Sequence, residues 1–235
     1  MHYTIFNTPV VKHIFRGFSL LFMKALGWRT EGALPDIPRY VLIVAPHTSN
    51  WDLLFGAVTA FALRLDVYFM AKHQLFRFPF GPLMKWIGAL RIDRRVHADT
   101  VKHAVETFRE HERLVIAVPP EGTRAKVKHW KTGFYYIAAG AGVPVVMAFI
   151  DYGRKTAGVG PVITPYGDID ADMGAIRKFY DGISGRYREK TSEAALPVHV
   201  DAGRGIVPSS HAFTVTPSRT RRRVKGQLRK RRRGI

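Results

Sequence analysis

His47 and Asp52 lie five residues apart in the segment Ala45-Pro46-His47-Thr48-Ser49-Asn50-Trp51-Asp52, and Pro120-Glu121-Gly122-Thr123-Arg124 follows further along the chain. The first segment offers an imidazole with a carboxylate within reach, the ingredients of a general base. The second offers a carboxylate and a guanidinium, which suit an anionic substrate. Each follows a run that reads as a buried strand, Tyr40-Val41-Leu42-Ile43-Val44 and Leu114-Val115-Ile116-Ala117-Val118. In an open α/β sheet, ligands bind at the carboxyl ends of parallel strands, so polar segments at two such ends can share one site. The combination reads as an enzyme.

Of the ten histidines, only His47 is followed by an aspartate five residues on. On a helix that separation turns through about 500°, which puts the two side chains on different faces. They meet if His47 ends the strand and Asp52 sits in the first turn of the next helix. Asp52 then accepts from one ring nitrogen and leaves the other facing the substrate as a base. Ser49-x-x-Asp52 is also a capping-box pattern, in which Asp52 serves the helix N-terminus alone. The two roles are compatible, and both stay open at this point. Ser49 is near enough to be considered as a nucleophile, but no Gly-x-Ser-x-Gly elbow surrounds it. A lone His–Asp pair favours direct attack by a bound hydroxyl on an activated acyl carbon. Backbone N–H groups at the start of the following helix are suited to an oxyanion there.

In the second segment Gly122 allows backbone to approach a ligand, and Arg124 presents a planar fork to phosphate with Lys126, Lys128 and Lys131 behind it. The alternative is an exposed turn with a solvated basic face. Gly88-Ala89-Leu90-Arg91-Ile92-Asp93-Arg94-Arg95 places three arginines around one carboxylate at the end of a short strand. It either completes an anion site or holds a structural Asp93–Arg94 pair. Gly142-Val143-Pro144-Val145-Val146-Met147 reads as core strand, with Pro144 shaping its entrance. His97, His103 and His111 lack metal-ligand spacing, and Gly158-Val159-Gly160 followed by Pro161 is not a dinucleotide fingerprint.

These segments need a scaffold, and the apolar periodicity predicts one. Strands are expected near 40–45, 66–71, 89–93, 114–118, 143–150 and 159–164. Helices are expected near 50–63, 80–87, 97–111, 131–141 and 171–188. The alternation predicts a single α/β domain over 32–190, with a mostly parallel central sheet flanked by helices. Residues 1–31 are expected to form an N-terminal amphipathic helix: Val11, Ile14, Phe15, Phe18, Leu21, Phe22 and Ala25 fall at helical spacing, with Lys12, Arg16, Ser19 and Lys24 on the other side. Such a helix suits a bilayer surface or docks on its own domain. No apolar run reaches the roughly eighteen residues of a spanning helix, and the order of a signal peptide is absent.

The net charge of +19 divides unevenly. Residues 191–235 hold eleven Lys/Arg against two acids and end in an Arg-rich block, which reads as a basic, disordered tail. The preceding residues hold 26 Lys/Arg against 16 acids, so the folded part is basic in its own right. A field of that sign attracts phosphate on nucleic acid, on anionic lipid or on a small substrate. The absence of cysteine excludes disulfides, zinc-thiolate sites and thiol nucleophiles.

Four of these segments, in this order, resemble the conserved blocks of the phospholipid and glycerolipid acyltransferases, the family of the 1-acyl-glycerol-3-phosphate acyltransferases. His47 and Asp52 match its His-x4-Asp block, Gly88 to Arg94 its second, Glu121-Gly122-Thr123-Arg124 its third and Val143-Pro144-Val145-Val146 its fourth. The similarity spans roughly residues 10–165. Pro46 stands where many members have Asn, and Ala125 where Ser is common. The resemblance implies His47 as base and Asp52 as its orienting partner. It implies acceptor binding around Ser49, Arg94, Glu121, Gly122, Thr123 and Arg124, with the arginines on phosphate. It also implies acyl transfer from an acyl-CoA or acyl carrier protein thioester to a lysophospholipid hydroxyl, with no metal and no cofactor beyond the acyl co-substrate. The expected location is peripheral, on the cytoplasmic face of the membrane. The alternative function is a non-catalytic basic protein that binds nucleic acid or anionic membrane. Nucleic acid is expected only through the tail, since no common nucleic-acid-binding motif is present.

Overall fold

The computed structural model describes residues 3–92 and 97–196. Arg94 and the basic tail from residue 197 lie outside the described residues. Among the described residues seven strands form one sheet: β1 (Arg29–Glu31), β2 (Arg39–Ala45), β3 (Tyr68–Lys72), β4 (Ala89–Ile92), β5 (Leu114–Val118), β6 (Val145–Asp151) and β7 (Thr156–Ile163). Their order is β1-β7-β6-β2-β5-β3-β4. Every pairing is parallel except that of β6 with β7, whose connection is too short for a crossover and therefore folds back as a hairpin. The expected α/β architecture with a mostly parallel sheet is thus what the chain forms.

Among the described residues six α-helices accompany the sheet: α1 (Val11–Ala25), α2 (Trp51–Leu63), α3 (Gly81–Trp86), α4 (His97–Glu110), α5 (Gly133–Ala141) and α6 (Ile169–Tyr180). Successive side chains of a strand face opposite ways, and both faces of the central strands are apolar. Val41, Ile43, Val145 and Met147 pack with Phe108 of α4, Phe134 and Ile137 of α5, and Met173 and Ile176 of α6. Tyr40, Leu42, Val146 and Ala148 pack on the other face with Ala60 of α2. Burial on both sides explains why these strands read as continuous apolar runs instead of alternating ones.

Three elements depart from the sequence reading. β1 is short, polar and exposed at the sheet edge, so it carries no hydrophobic signal. The helix expected over 171–188 ends at Tyr180. Asp181 is extended and Gly182 takes φ 78°, which turns the chain back towards the end of β2. In α1, periodicity puts Ser19 on the polar side, yet it is buried together with Met23; Phe15 stacks on Phe61 and Phe22 meets Phe55 of α2 at a tilt. Ile14, Phe18 and Leu21 remain exposed. The helix therefore docks on its own domain with one flank and leaves its most apolar flank open.

Gly158-Val159-Gly160 has a packing explanation. Gly158 is paired with Glu31 across β1 and β7, and a Cβ there would collide with the Glu31 carbonyl; at Gly160 it would enter the Phe179 ring. Overpacking against fixed backbone costs about 1–3 kcal/mol. Gly158→Ala is expected to lower the unfolding free energy by about that amount, read as a lower urea midpoint at an unchanged slope.

Candidate active site

β2 lies between β5 and β6, with Ile43 opposite Val118 and Ala45 opposite Phe149. Three parallel strands therefore deliver their carboxyl ends side by side, and the segments after them meet: Pro119–Arg124 after β5, Pro46–Asp52 after β2, and Tyr152 after β6. A cavity of about 510 Å³ lined by Tyr40, Arg64, Arg113 and Leu114 opens at the opposite end of β2 and β5, away from His47.

His47 Nδ1 lies 3.3 Å from Asp52 Oδ2. The imidazole is 27% exposed and the carboxylate 2%, so the ring is reachable while its partner is sealed beneath it. Asp52 stands in the first turn of α2. Its Oδ2 also accepts the N–H of Thr48 at 2.7 Å and of Ser49 at 2.8 Å, and its Oδ1 accepts the Tyr152 hydroxyl at 2.8 Å and Ser49 Oγ at 3.2 Å. Burial pushes the Asp52 carboxyl up, but the hydrogen bonds from His47, Ser49, Tyr152 and Thr48 together outweigh it and hold the group below the usual carboxylate range. An ionised carboxylate only accepts hydrogen bonds, so the facing His47 Nδ1 is the donor, and in a neutral ring the lone pair is then on Nε2.

Asp52 contacts both the His47 ring and the turn that leads into α2. Asp52 accepts the Ser49 N–H while Ser49 Oγ accepts the Trp51 N–H at 3.0 Å, so the start of α2 is tied down by the residues that hold His47. Ser49 is consequently buried, with its hydroxyl taken up inside this turn.

Glu121 joins the second segment to the first. Its Oε1 accepts the backbone N–H of His47 at 2.9 Å, and among the described residues its buried Oε2 has no hydrogen-bond partner. Burial pushes the Glu121 carboxyl up; hydrogen bonds from the His47 N–H and its own backbone only partly offset this. Gly122 adopts φ 65°, which favours glycine; a Cβ there would lie 2.8 Å from Lys131 Nζ, the end of a flexible side chain that can move aside. Thr123 is exposed and its Oγ1 accepts from the Ala125 N–H at 3.3 Å. Arg124 is exposed and forms no ion pair with a described residue. The structure thus brings His47, Ser49, Asp52 and Glu121 into one network, with Gly122, Thr123 and Arg124 on the exposed loop beside it.

Tyr152 was missed by the sequence reading, although it bonds Asp52 directly. Its signal was its place: it is the second polar residue of Asp151-Tyr152 at the carboxyl end of a parallel strand, the position that singled out His47 and Glu121. Asp151 itself is occupied by Arg154 Nε at 2.7 Å and by the Gly153 N–H at 2.9 Å.

A family model described as Acyltransferase matches residues 32–150, a span that contains all four sequence blocks. The chain thus belongs to the acyltransferase family and is an acyltransferase built on an α/β fold. It is also similar to the crystal structure of the 1-acyl-sn-glycerophosphate (LPA) acyltransferase, PlsC, from Thermotoga maritima, at 19% identity and a TM-score of 0.49 over 73% of this chain and 75% of that one. No curated protein matches it.

Glu121 yields a stability test with a defined sign. A carboxyl whose folded pKa is raised binds its proton more tightly when folded, so its ionisation opposes folding at neutral pH. Glu121→Gln keeps an acceptor for the His47 N–H without the charge. It is expected to match or exceed the parent in stability at pH 7. That margin should narrow as pH falls through the raised pKa and vanish below about 4, where carboxyls are protonated even when unfolded. Glu121→Ala, which strands the His47 N–H, is expected to cost about 1–3 kcal/mol. Urea unfolding across pH measures both.

Proposed function

We propose that this enzyme is an O-acyltransferase that moves a fatty acyl group from an acyl-CoA or acyl carrier protein thioester to the hydroxyl of a lysophospholipid such as 1-acyl-glycerol-3-phosphate. The observation that carries this reading is the 3.3 Å approach of His47 Nδ1 to the buried Asp52 carboxylate. It leaves Nε2 of a partly exposed imidazole as a base. His47 Nε2 removes the proton of the acceptor hydroxyl as the oxygen attacks the thioester carbonyl carbon. Asp52 stabilises the imidazolium that forms. The tetrahedral intermediate then expels the thiolate, which takes the proton back from His47, and an ester and a free thiol result. Catalysis in this scheme needs the acyl thioester as co-substrate and no metal.

The exposed guanidinium of Arg124 suits the acceptor phosphate, since a guanidinium fork binds phosphate through paired, charge-assisted hydrogen bonds. Membrane association is part of the proposal. Ile14, Phe18 and Leu21, spaced as one helical stripe, are 63%, 59% and 67% exposed, and Phe78 after β3 is 94% exposed. Among the described residues no helix is long and apolar enough to cross a membrane, so the mode proposed is peripheral, on the cytoplasmic face, with apolar side chains at the interface and basic ones at anionic headgroups.

Purified protein incubated with labelled acyl-CoA or acyl carrier protein thioester and a panel of lysolipids tests the chemistry. His47→Ala is expected to lower kcat at least about 100-fold while the fold is retained. Arg124→Ala is expected to raise KM for phosphorylated acceptors more than for uncharged ones. Full activity in His47→Ala would sink the mechanism. In a separate vesicle sedimentation assay, Phe18→Ser with Leu21→Ser should reduce binding at least about 10-fold; unchanged binding would remove α1 from the interface.

A further inference from the structure

One charged side chain at this site has no role in the scheme above. The segment after α6 returns to the His47 loop and is fastened there at several points. The Tyr152 N–H donates to the Ser184 carbonyl at 2.9 Å, the Ser184 N–H to Asp151 Oδ1 at 3.4 Å, and the Tyr187 N–H to Thr48 Oγ1 at 3.3 Å. Gly185 sits so close to Thr48 that a Cβ would lie 2.6 Å from its Cγ2. Arg186 is thereby carried to the edge of the segment that holds His47.

Its guanidinium carbon lies 5.1 Å from the centre of the Trp51 ring and 5.8 Å from that of Tyr152, whose hydroxyl bonds Asp52. Arg186 is exposed, and among the described residues no carboxylate forms an ion pair with it. Asp52 is engaged by Thr48, Ser49 and Tyr152, and Asp151 by Arg154. A guanidinium resting on aromatic rings offers its face to them and keeps its N–H edge free to donate in pairs to an anion. Ring contacts also restrict the side chain before any ligand arrives, which lowers the ordering cost of binding.

We propose that Arg186, held by Trp51 and Tyr152, binds a phosphate group of a substrate at the His47 site. The proposal rests on the acyl-transfer reading for its setting. Phosphate can come from two sources, the headgroup of the acceptor or the phosphates of the acyl donor, and both present the same chemistry to the guanidinium. Arg186 is then a second cation for phosphate beside Arg124, supplied by the segment after α6.

The test uses the full chain with Arg186→Met, which keeps length and ring contact but removes the charge, and Arg186→Lys, which keeps the charge but loses the fork. Initial rates are measured with 1-acyl-glycerol-3-phosphate and with an uncharged monoacylglycerol as acceptors, each against varied acyl-CoA. Arg186→Met is expected to raise KM about 10- to 100-fold for the phosphate-bearing partner, as befits loss of a charged hydrogen-bonded contact, with partial recovery in Arg186→Lys. A rise seen only with the phosphorylated acceptor assigns the headgroup; a rise for acyl-CoA with either acceptor assigns the donor. Unchanged KM for both, or a loss confined to kcat, overturns the proposal. Calorimetric titration with coenzyme A and with a short-chain lysophosphatidate separates its failure from that of the acyl-transfer reading. At least one of these ligands should bind the parent about 10-fold or more tightly than Arg186→Met. If parent and variant bind both equally, or the parent binds neither, Arg186 is not a phosphate ligand even if acyl transfer occurs. A difference in binding without any turnover keeps Arg186 and discards the reaction.

Discussion

A carboxylate sealed from water is costly unless donors surround it, and removing one partner of a buried charge typically costs several kcal/mol. Asp52 is such a group, and the architecture around it can be read as the supply of its donors. Thr48 and Ser49 give backbone N–H groups from its own turn, His47 gives a ring nitrogen, and Tyr152 gives a hydroxyl from the end of β6. The last of these exists only because β6 lies beside β2 in parallel, so that both chains leave the sheet at the same end. The sheet order therefore sets how well Asp52 is held, and Asp52 in turn lies 3.3 Å from His47 Nδ1.

Glu121 shows the contrasting case a few residues away. It too is buried, but it accepts from the His47 N–H with one oxygen while the other has no partner among the described residues. Desolvation wins there, whereas hydrogen bonding wins at Asp52. Two carboxyls on the same histidine are thus pushed in opposite directions by their surroundings, which assigns them different work. Asp52 addresses the imidazole ring and Glu121 the backbone that carries it. The glutamate of the Glu-Gly-Thr-Arg segment is in this structure a fixture of the His47 loop, and Arg124 alone of that segment presents charge to solvent.

The N-terminal helix is tied to the same network through aromatic rings. Trp28 stacks on Phe55 of α2 at 4.2 Å and meets the Tyr152 ring edge-on at 5.1 Å, and Phe22 of α1 reaches Phe55 at 6.0 Å. Phe55, one of the rings that seat α1, thus also meets the Tyr152 ring behind Asp52. The exposed stripe of α1 belongs to a helix whose other flank reaches Tyr152 through Phe22 and Phe55.

The sequence by itself determined the strand and helix alternation, the placement of His47 and Glu121 at strand ends, and the four blocks that mark the family. Those properties are local: apolar runs such as Tyr40–Val44, and polar residues just past them, are visible without knowing any neighbour. Gly122 was likewise legible as a backbone requirement. Strand order was not, because pairing β2 with both β5 and β6 depends on contacts between segments about seventy to a hundred residues apart. The same non-locality hid Tyr152 as a partner of Asp52, the return of Ser184–Tyr187 to Thr48, and the direction in which β7 runs. It also decided which flank of α1 is buried, since periodicity identifies an apolar side while the surface offered by α2 selects the side that packs. Residue types establish what chemistry is possible. Only the three-dimensional neighbours of each group determine its charge state, its partner and its access to solvent.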